Sequence, residues 1–308
     1  MFSKNNMIAK FAEIGDFNSG EYQKNYFELE EFSNRFLESA LKSGFFPKDY
    51  PWPIDPFHNW SRIWEYPFVW EQIKGVNNNG EKPLRVADLG SGLTFFPWFL
   101  ASKGNSVYAL DNNLRLIPSK KMIGEMKREL DIKGDIYYLA SDATRISLRD
   151  NSVDAVTNIS LLEHLPDYYS SLDESNRILM KNGSLIATFD VSLDGLPFGD
   201  GTPLNLNQVN KIVNLKFNSI PKKSLRFSNH PRNWSNRKRL RFYSLGDIWK
   251  WEVKNQYLRP LIKLIKSRIF IPPYPLIPVS TIRLLISPNR FDMWTVMGIA
   301  LQKSSINR

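Results

Sequence analysis

Residues 84–111 constrain the fold of this chain more than any other segment. An apolar run reaches Asp88, a turn follows through Gly90 and Gly92, and the chain enters a helix-compatible stretch. A second apolar run then ends in another acid, Asp111. This order predicts a strand, a glycine turn, a helix and a second strand. Such a unit suits a nucleoside-containing cofactor, because glycines let the backbone approach the ligand and a terminal carboxylate can accept ribose hydroxyls.

The amino-acid sequence of the turn indicates which cofactor it suits. A dinucleotide site has a third glycine, which lets a pyrophosphate lie on the helix N-terminus. Phe95 occupies that position here, and Asp88 precedes Gly90 by two residues, where its charge would repel a phosphate. The pattern Asp-x-Gly-x-Gly resembles motif I of the class I S-adenosylmethionine-dependent methyltransferases. Their cofactor carries a cationic amino group and a sulfonium and has no phosphate.

The resemblance continues downstream in the order of that family. It covers residues 84–303, with a loose match between 192 and 290. The family's Glu-His segment corresponds to 161–165 and its Arg-Phe-Tyr-Ser segment to 241–244. Later strands of the family correspond to 135–140, 152–160, 182–190 and, for the antiparallel closing strand, 293–303.

The resemblance implies an α/β, Rossmann-like class I methyltransferase fold with a mainly parallel seven-stranded sheet and an antiparallel closing strand. It also implies a division of the chain into four parts. Residues 1–80 form a helical and aromatic N-terminal cap, and residues 81–192 form the cofactor-binding core. Residues 193–290 form a basic lid or insertion, and residues 291–308 form the closing strand.

Site residues follow from the same resemblance, with S-adenosylmethionine over the carboxyl ends of the strands. The residues implied around the methionine part are Asp88, Gly90, Ser91 and Gly92, and those at the ribose are Asp111 and Asn112. Asp142 and Ala143 are implied at the adenine, and Ile159 and Ser160 near the transferred methyl.

Histidines are the candidates for a general base, because imidazole titrates near neutral pH. His164 follows the expected fourth strand of the core and is the first candidate, although a purely structural role is the alternative. His230, in the basic segment, is the second, and His58 is the weakest of the three. With only three scattered histidines and no cysteine, we expect no catalytic metal and no disulfide.

The charge of the chain is unevenly distributed. Residues 201–308 contain 20 basic and 3 acidic side chains, and residues 201–246 contain no acid at all. Such asymmetry favours an anionic partner, which could be a charged acceptor, a nucleic acid or an anionic membrane surface. Residues 258–271 could form a membrane-surface helix or pack on the sheet. The chain has neither a signal-peptide pattern nor an apolar run of membrane-spanning length, so we expect a cytoplasmic protein.

The N-terminal region lacks a glycine-rich turn and contains two helical patterns. One spans residues 21–43, and the other spans 60–73 with an expected break near Pro67. Residues 46–59, rich in proline and aromatic residues, are expected to form an ordered crossing loop, and Tyr66 is a candidate to close over the cofactor. A further helix is expected at 205–217.

These features favour a methyltransferase that acts on a hydroxyl of a small molecule or glycan, with an anionic acceptor as one variant. Two alternatives stay open. One is an RNA methyltransferase that uses the basic 201–246 segment as a phosphate-binding surface. The other is a non-catalytic binding protein of the same fold.

Overall fold

The computed structural model describes residues 8–12, 14–50, 52, 54–58, 61–76, 82–192, 203–213 and 294–303. Within these residues, eight strands form one sheet. In chain order they are β1 (Ile8–Phe11), β2 (Arg85–Leu89), β3 (Ser106–Asp111), β4 (Asp135–Ala140), β5 (Val153–Ile159), β6 (Leu179–Ser192), β7 (Leu204–Asn205) and β8 (Trp294–Gln302). The helices are α1 (Gly20–Ser43), α2 (Arg62–Val76), α3 (Phe96–Ser102), α4 (Lys120–Glu129), α5 (Tyr168–Ile178) and α6 (Leu206–Val213).

The sheet runs in the order β1-β8-β6-β5-β2-β3-β4, with the two-residue β7 paired to β6. All pairs are parallel except those of β8, which is antiparallel to both β6 and β1. The α/β fold with its antiparallel closing strand is therefore confirmed. The sequence analysis missed β1, which adds N-terminal backbone to the edge of the sheet, and β7.

The strand order creates a topological switch point at β2. This strand pairs with β3 on one side and with β5 on the other, and the chain runs outward through β3 and β4 before it returns to the other side of β2 to form β5 and β6. In open parallel sheets, ligands bind where the connections diverge in this way, outside the carboxyl ends of the strands. The residues that end β2, β3 and β5 are therefore the ones to examine for a site.

The N-terminal helices pack on the sheet and on each other. Ser19 caps α1 by accepting the Tyr22 amide at 3.1 Å, and Gly44 ends it with a φ of 66°. Helix α1 packs against α2, α3 and α4, and α2 lies against β5, β6 and β8. The fit of α2 on β8 is tight, since a Cβ atom at Gly298 would lie 2.3 Å from Cε1 of Phe68.

Helix α2 continues through Pro67, so the expected break is wrong. Proline lacks the amide that would bond the carbonyl four residues earlier, which here belongs to Ile63. The hydroxyl of Tyr22, on α1, donates to that carbonyl at 2.8 Å. A side chain from a distant helix thus replaces the missing bond, which explains why the local pattern did not reveal the continuity.

Helix α6 starts at Leu206 because the residues around it form a capping box. The Asn205 side chain accepts the Gln208 amide at 3.0 Å, and the Gln208 side chain accepts the Asn205 amide at 2.9 Å. The expected remainder of this helix, the basic block and the 258–271 segment lie outside the described residues. Within the described part of the chain, no helix is long and apolar enough to cross a membrane.

Candidate functional site

The turn after β2 has a backbone shape that requires glycine. Gly90 and Gly92 have φ angles of 65° and 53°, in the left-handed region that side chains disfavour. A Cβ atom at Gly90 would also lie 2.9 Å from Cδ1 of Leu161. The amide of Ser91 donates to the Leu110 carbonyl at 3.0 Å, which ties the turn to the end of β3. The turn is therefore a backbone segment of fixed shape at the switch point.

Asp88 lies at the end of β2, directly before this turn. Its side chain is buried, and the Thr157 hydroxyl donates to its carboxylate at 2.6 Å. Burial raises the pKa of Asp88 to about 6, against the opposing effect of that hydrogen bond. A cation placed beside Asp88 would favour its ionised form, as a bound ammonium group would.

Asp111, the last residue of β3, faces the same turn. Its two carboxylate oxygens accept amide hydrogens from Gly92 at 3.1 Å and from Asn113 at 2.9 Å. Each oxygen keeps a lone pair, so the carboxylate can also accept hydroxyl hydrogens from a ligand. Asn112, which follows Asp111 directly in sequence, is exposed.

Asp142 follows β4 on the same edge of the sheet. One of its oxygens accepts the Thr144 amide at 2.7 Å and the Thr144 hydroxyl at 2.8 Å. These bonds lower its pKa, so the exposed carboxylate is ionised at neutral pH. Ala143 is half-buried in the same turn. The structure thus brings the glycine turn and the three predicted acids to one edge, with donors and acceptors suited to a nucleoside.

Tyr50, in the loop after α1, is a residue of this region that the sequence analysis missed. Its hydroxyl accepts the Leu93 amide at 3.2 Å, just beyond the glycine turn. Burial raises the pKa of Tyr50 to about 12, so the phenol keeps a proton that it can donate. No spacing in the sequence connects the two residues. Tyr66, a candidate to close over the cofactor or to belong to the core, is buried against the rings of Phe95 and Phe96.

Ser160 begins the other side of the site, directly after β5. Its φ of 46° is unusual for a residue with a side chain, and its amide donates to the Thr188 carbonyl at 2.9 Å. Its hydroxyl donates to Glu65 at 2.7 Å and accepts a hydrogen bond from Arg62. Arg62 also donates to Glu65. Ile159, the end of β5, is half-buried. The Ser160 side chain is therefore engaged by α2, a contact that the sequence analysis did not find.

Glu163 and His164 follow in a short turn and differ in exposure. Glu163 is buried and accepts the Asp190 amide at 3.2 Å, and burial, with the nearby Asp190 charge, holds its pKa well above the usual range. His164 is exposed, and partial burial together with the positive charge of Arg62 lowers its pKa. Its imidazole is thus accessible and neutral at pH 7, as a base requires.

Of the other two histidines, only His58 is among the described residues. His58 contacts Asp55 at 2.8 Å and Glu30 at 3.1 Å, and these bonds outweigh burial and raise its pKa to about 9. It is therefore protonated at neutral pH and joins its loop to α1. His230 lies outside the described residues. Among the described residues, no group of three or more His, Asp or Glu side chains could hold a metal ion.

Comparisons with known proteins give one family match, and it covers this part of the chain. A family model described as a methyltransferase domain matches residues 87–187, which span the glycine turn, Asp111, Asp142, Ser160 and His164. No curated protein matches the chain by sequence.

Solved structures are also similar to this chain. A candidate sarcosine dimethylglycine methyltransferase from Galdieria sulphuraria has 15% identity and a TM-score of 0.50, over 80% of this chain and 88% of that one. Phosphoethanolamine N-methyltransferase 2 from Haemonchus contortus has 15% identity and a TM-score of 0.47, over 80% of this chain and 57% of that one.

Proposed function

We propose that this chain, which contains a class I S-adenosylmethionine-dependent methyltransferase domain, methylates a hydroxyl oxygen of a small molecule or glycan. The observation that carries the choice of oxygen is His164, an exposed imidazole with a lowered pKa just past the end of β5. A neutral alcohol is a poor nucleophile, so its methylation needs a base of this kind near the reacting oxygen.

The residues at the glycine-turn edge fit the cofactor. S-adenosylmethionine, when bound, supplies a methyl group on a positively charged sulfur, which is already activated for displacement. In the proposed arrangement the second lone pairs of Asp111 accept the ribose hydroxyls, and Asp142 accepts the adenine amino group. Asp88 and the turn from Gly90 to Gly92 hold the methionine part, where the carboxylate of Asp88 favours an ammonium group.

On the acceptor side, His164 accepts the hydroxyl proton at an imidazole nitrogen as the new carbon–oxygen bond forms. The protein also aligns the two reactants and excludes water, which lowers the barrier further. His230 stays the second candidate for the base. The basic 201–246 segment is proposed to cover an anionic acceptor, since guanidinium groups match oxyanions well.

Substitution of His164 tests this function. In His164→Ala, turnover with a methylated acceptor should fall by about 10²–10⁴-fold, because general-base catalysis is lost. The affinity for S-adenosylhomocysteine, measured by calorimetry on the same variant, should stay within about two-fold. In the wild-type protein, kcat/KM should decrease as the pH falls through the pKa of His164, which lies below 6.5, because protonation removes the base.

A loss of less than about ten-fold in His164→Ala would contradict a role as base. The same substitution in His230 would then identify the reserve candidate. If neither matters, an acceptor that is already deprotonated, such as a carboxylate or phenolate, becomes the better explanation.

An RNA methyltransferase is the second candidate function. The acid-free segment 201–246 with its ten lysine and arginine side chains supports it, because phosphate contacts need such charge. RNA affinity that falls steeply with rising salt, together with methyl transfer to RNA, would favour this function over the first. A chain that binds neither S-adenosylmethionine nor its product would instead be a binding protein of the same fold.

A further inference from the structure

Arg62 is the one guanidinium that the described N-terminal helices bring to the carboxyl end of β5. It is the first residue of α2 and donates through a single nitrogen, Nη1, to both the Ser160 hydroxyl and Glu65. Glu65 is fully buried and also accepts the Ser160 hydroxyl. The guanidinium is therefore held in one orientation by a buried carboxylate and by the residue that follows β5.

This arrangement leaves most of the guanidinium unused. Arginine has five N–H donors in a rigid, planar fork. Among the described residues, the Nη2 and Nε atoms of Arg62 have no hydrogen-bond partner, and 23% of its side chain is exposed. A cation that is fixed on one side and open on the other is a preorganised binding group for an oxyanion.

The position of Arg62 links it to the reacting part of the site. Ser160 and His164 lie on either side of the turn that leaves β5, and the Arg62 charge acts on both. Burial holds the pKa of the nearby Glu163 carboxyl well above its usual range, which favours its neutral form and weakens its opposition to an anion. Glu65 is thus the carboxylate that Arg62 contacts directly.

We propose that Arg62 binds an oxyanionic group, a carboxylate or a phosphate, on the acceptor and thereby orients the acceptor toward the methyl group. This assignment rests on the proposed function and names the acceptor class more closely than the basic 201–246 segment does. Glu65 and Ser160 act as positioning residues, since they fix the fork without using the face that receives the anion.

Calorimetry on the full chain saturated with S-adenosylhomocysteine tests the assignment. Inorganic phosphate and acetate are titrated separately into the wild type, Arg62→Gln and Arg62→Lys. We expect saturable binding of at least one anion to the wild type, a loss of about ten-fold or more in Arg62→Gln, and a smaller loss in Arg62→Lys, which keeps the charge but not the fork. The anion that binds with the higher affinity indicates whether the acceptor carries a phosphate or a carboxylate.

Arg85→Lys is the matched control. Arg85 pairs with Asp154 at the opposite end of β2, so its substitution should leave anion binding unchanged. Arg62→Lys keeps the test valid if Arg62→Gln does not fold, because lysine can still pair with Glu65.

Three results would overturn the assignment. The wild-type complex could bind neither anion, or Arg62→Gln and Arg62→Lys could bind as well as the wild type. A matching loss of affinity for S-adenosylhomocysteine in the Arg62 variants would show that Arg62 serves the cofactor instead. Failure of the wild type to bind S-adenosylhomocysteine at all would refute the proposed function itself, which separates the two hypotheses.

Discussion

The two sides of the site are built in different ways. On the glycine-turn side, Asp111 holds the amide of Gly92, 19 residues away, and that of Asn113, two residues away. On the α2 side, Ser160 contacts Glu65 and Arg62 across 95 and 98 residues. Backbone groups within one strand–turn–helix–strand unit hold Asp111, whereas side chains from a separate element hold Ser160. A local pattern can therefore specify the glycine turn with Asp111 but not the contacts of Ser160.

The largest stability effect should come from breaking the α2 side. Glu65→Gln removes the buried partner of Arg62, which leaves a guanidinium without its counter-charge. Removal of one partner from a buried pair costs several kcal/mol, and partial exposure of Arg62 reduces this to about 2–3 kcal/mol. The free energy of unfolding, measured with urea, should fall by that amount.

Glu129→Gln is the control for this variant. Glu129 pairs with Lys42 at 3.1 Å on the surface, so its loss should change stability by less than about 1 kcal/mol. Equal effects of the two substitutions would show that the α2 side is not a buried ionic contact. A large loss of S-adenosylhomocysteine affinity in Glu65→Gln would show that the two sides are not separate.

The loop that carries Tyr50 should respond to pH through His58. The folded pKa of His58, about 9, is above its ordinary value of 6.5, so its contribution to stability is complete below pH 6.5 and is lost as the pH rises through about 9. His58→Gln should therefore destabilise the protein by on the order of 2 kcal/mol more at pH 7 than at pH 10. Urea unfolding at both pH values measures this, and an equal effect at both would refute the charged contact.

A smaller effect should follow from Tyr50→Phe, which removes only the hydroxyl that meets the glycine turn. The lost hydrogen bond to the Leu93 amide is worth about 0.5–1.5 kcal/mol, and because it holds the end of the glycine turn in its binding shape, the affinity for S-adenosylhomocysteine should fall by at most roughly two- to ten-fold. Tyr137→Phe is the control, since Tyr137 is exposed on β4. If both variants bind like the wild type, the N-terminal loop does not complete the cofactor side.

The sequence predicted the core strands closely: β4 matches residue for residue, and β3 ends at the predicted Asp111. Apolar runs bounded by turns are local signals, so they can be read from the sequence. The glycine pattern is local as well, and the positive φ angles of the two glycines explain it. The strand β1 was not predicted, because four residues at a sheet edge form a strand only when β8 is beside them.

The remaining errors have the same origin. The continuity of α2 through Pro67 depends on Tyr22, a residue on another helix. Arg62 and Glu65 are three positions apart in an apolar segment that predicts only a helix. Their contact with Ser160 was not predicted, because Ser160 is more than 90 residues away in sequence. Tyr50 was assigned to an ordered loop without a role for the same reason.

Titration of S-adenosylhomocysteine into the wild type, Asp111→Ala and Asp135→Asn tests the central claim most directly. Asp135 starts β4, at the opposite end of the sheet, so its variant should bind like the wild type. We predict that the wild type binds and that Asp111→Ala loses about ten- to a hundred-fold in affinity, because a charge-assisted acceptor for the ribose hydroxyls is gone. No binding by the wild type, or unchanged affinity in a folded Asp111→Ala, would contradict the claim that this edge of the sheet holds the cofactor.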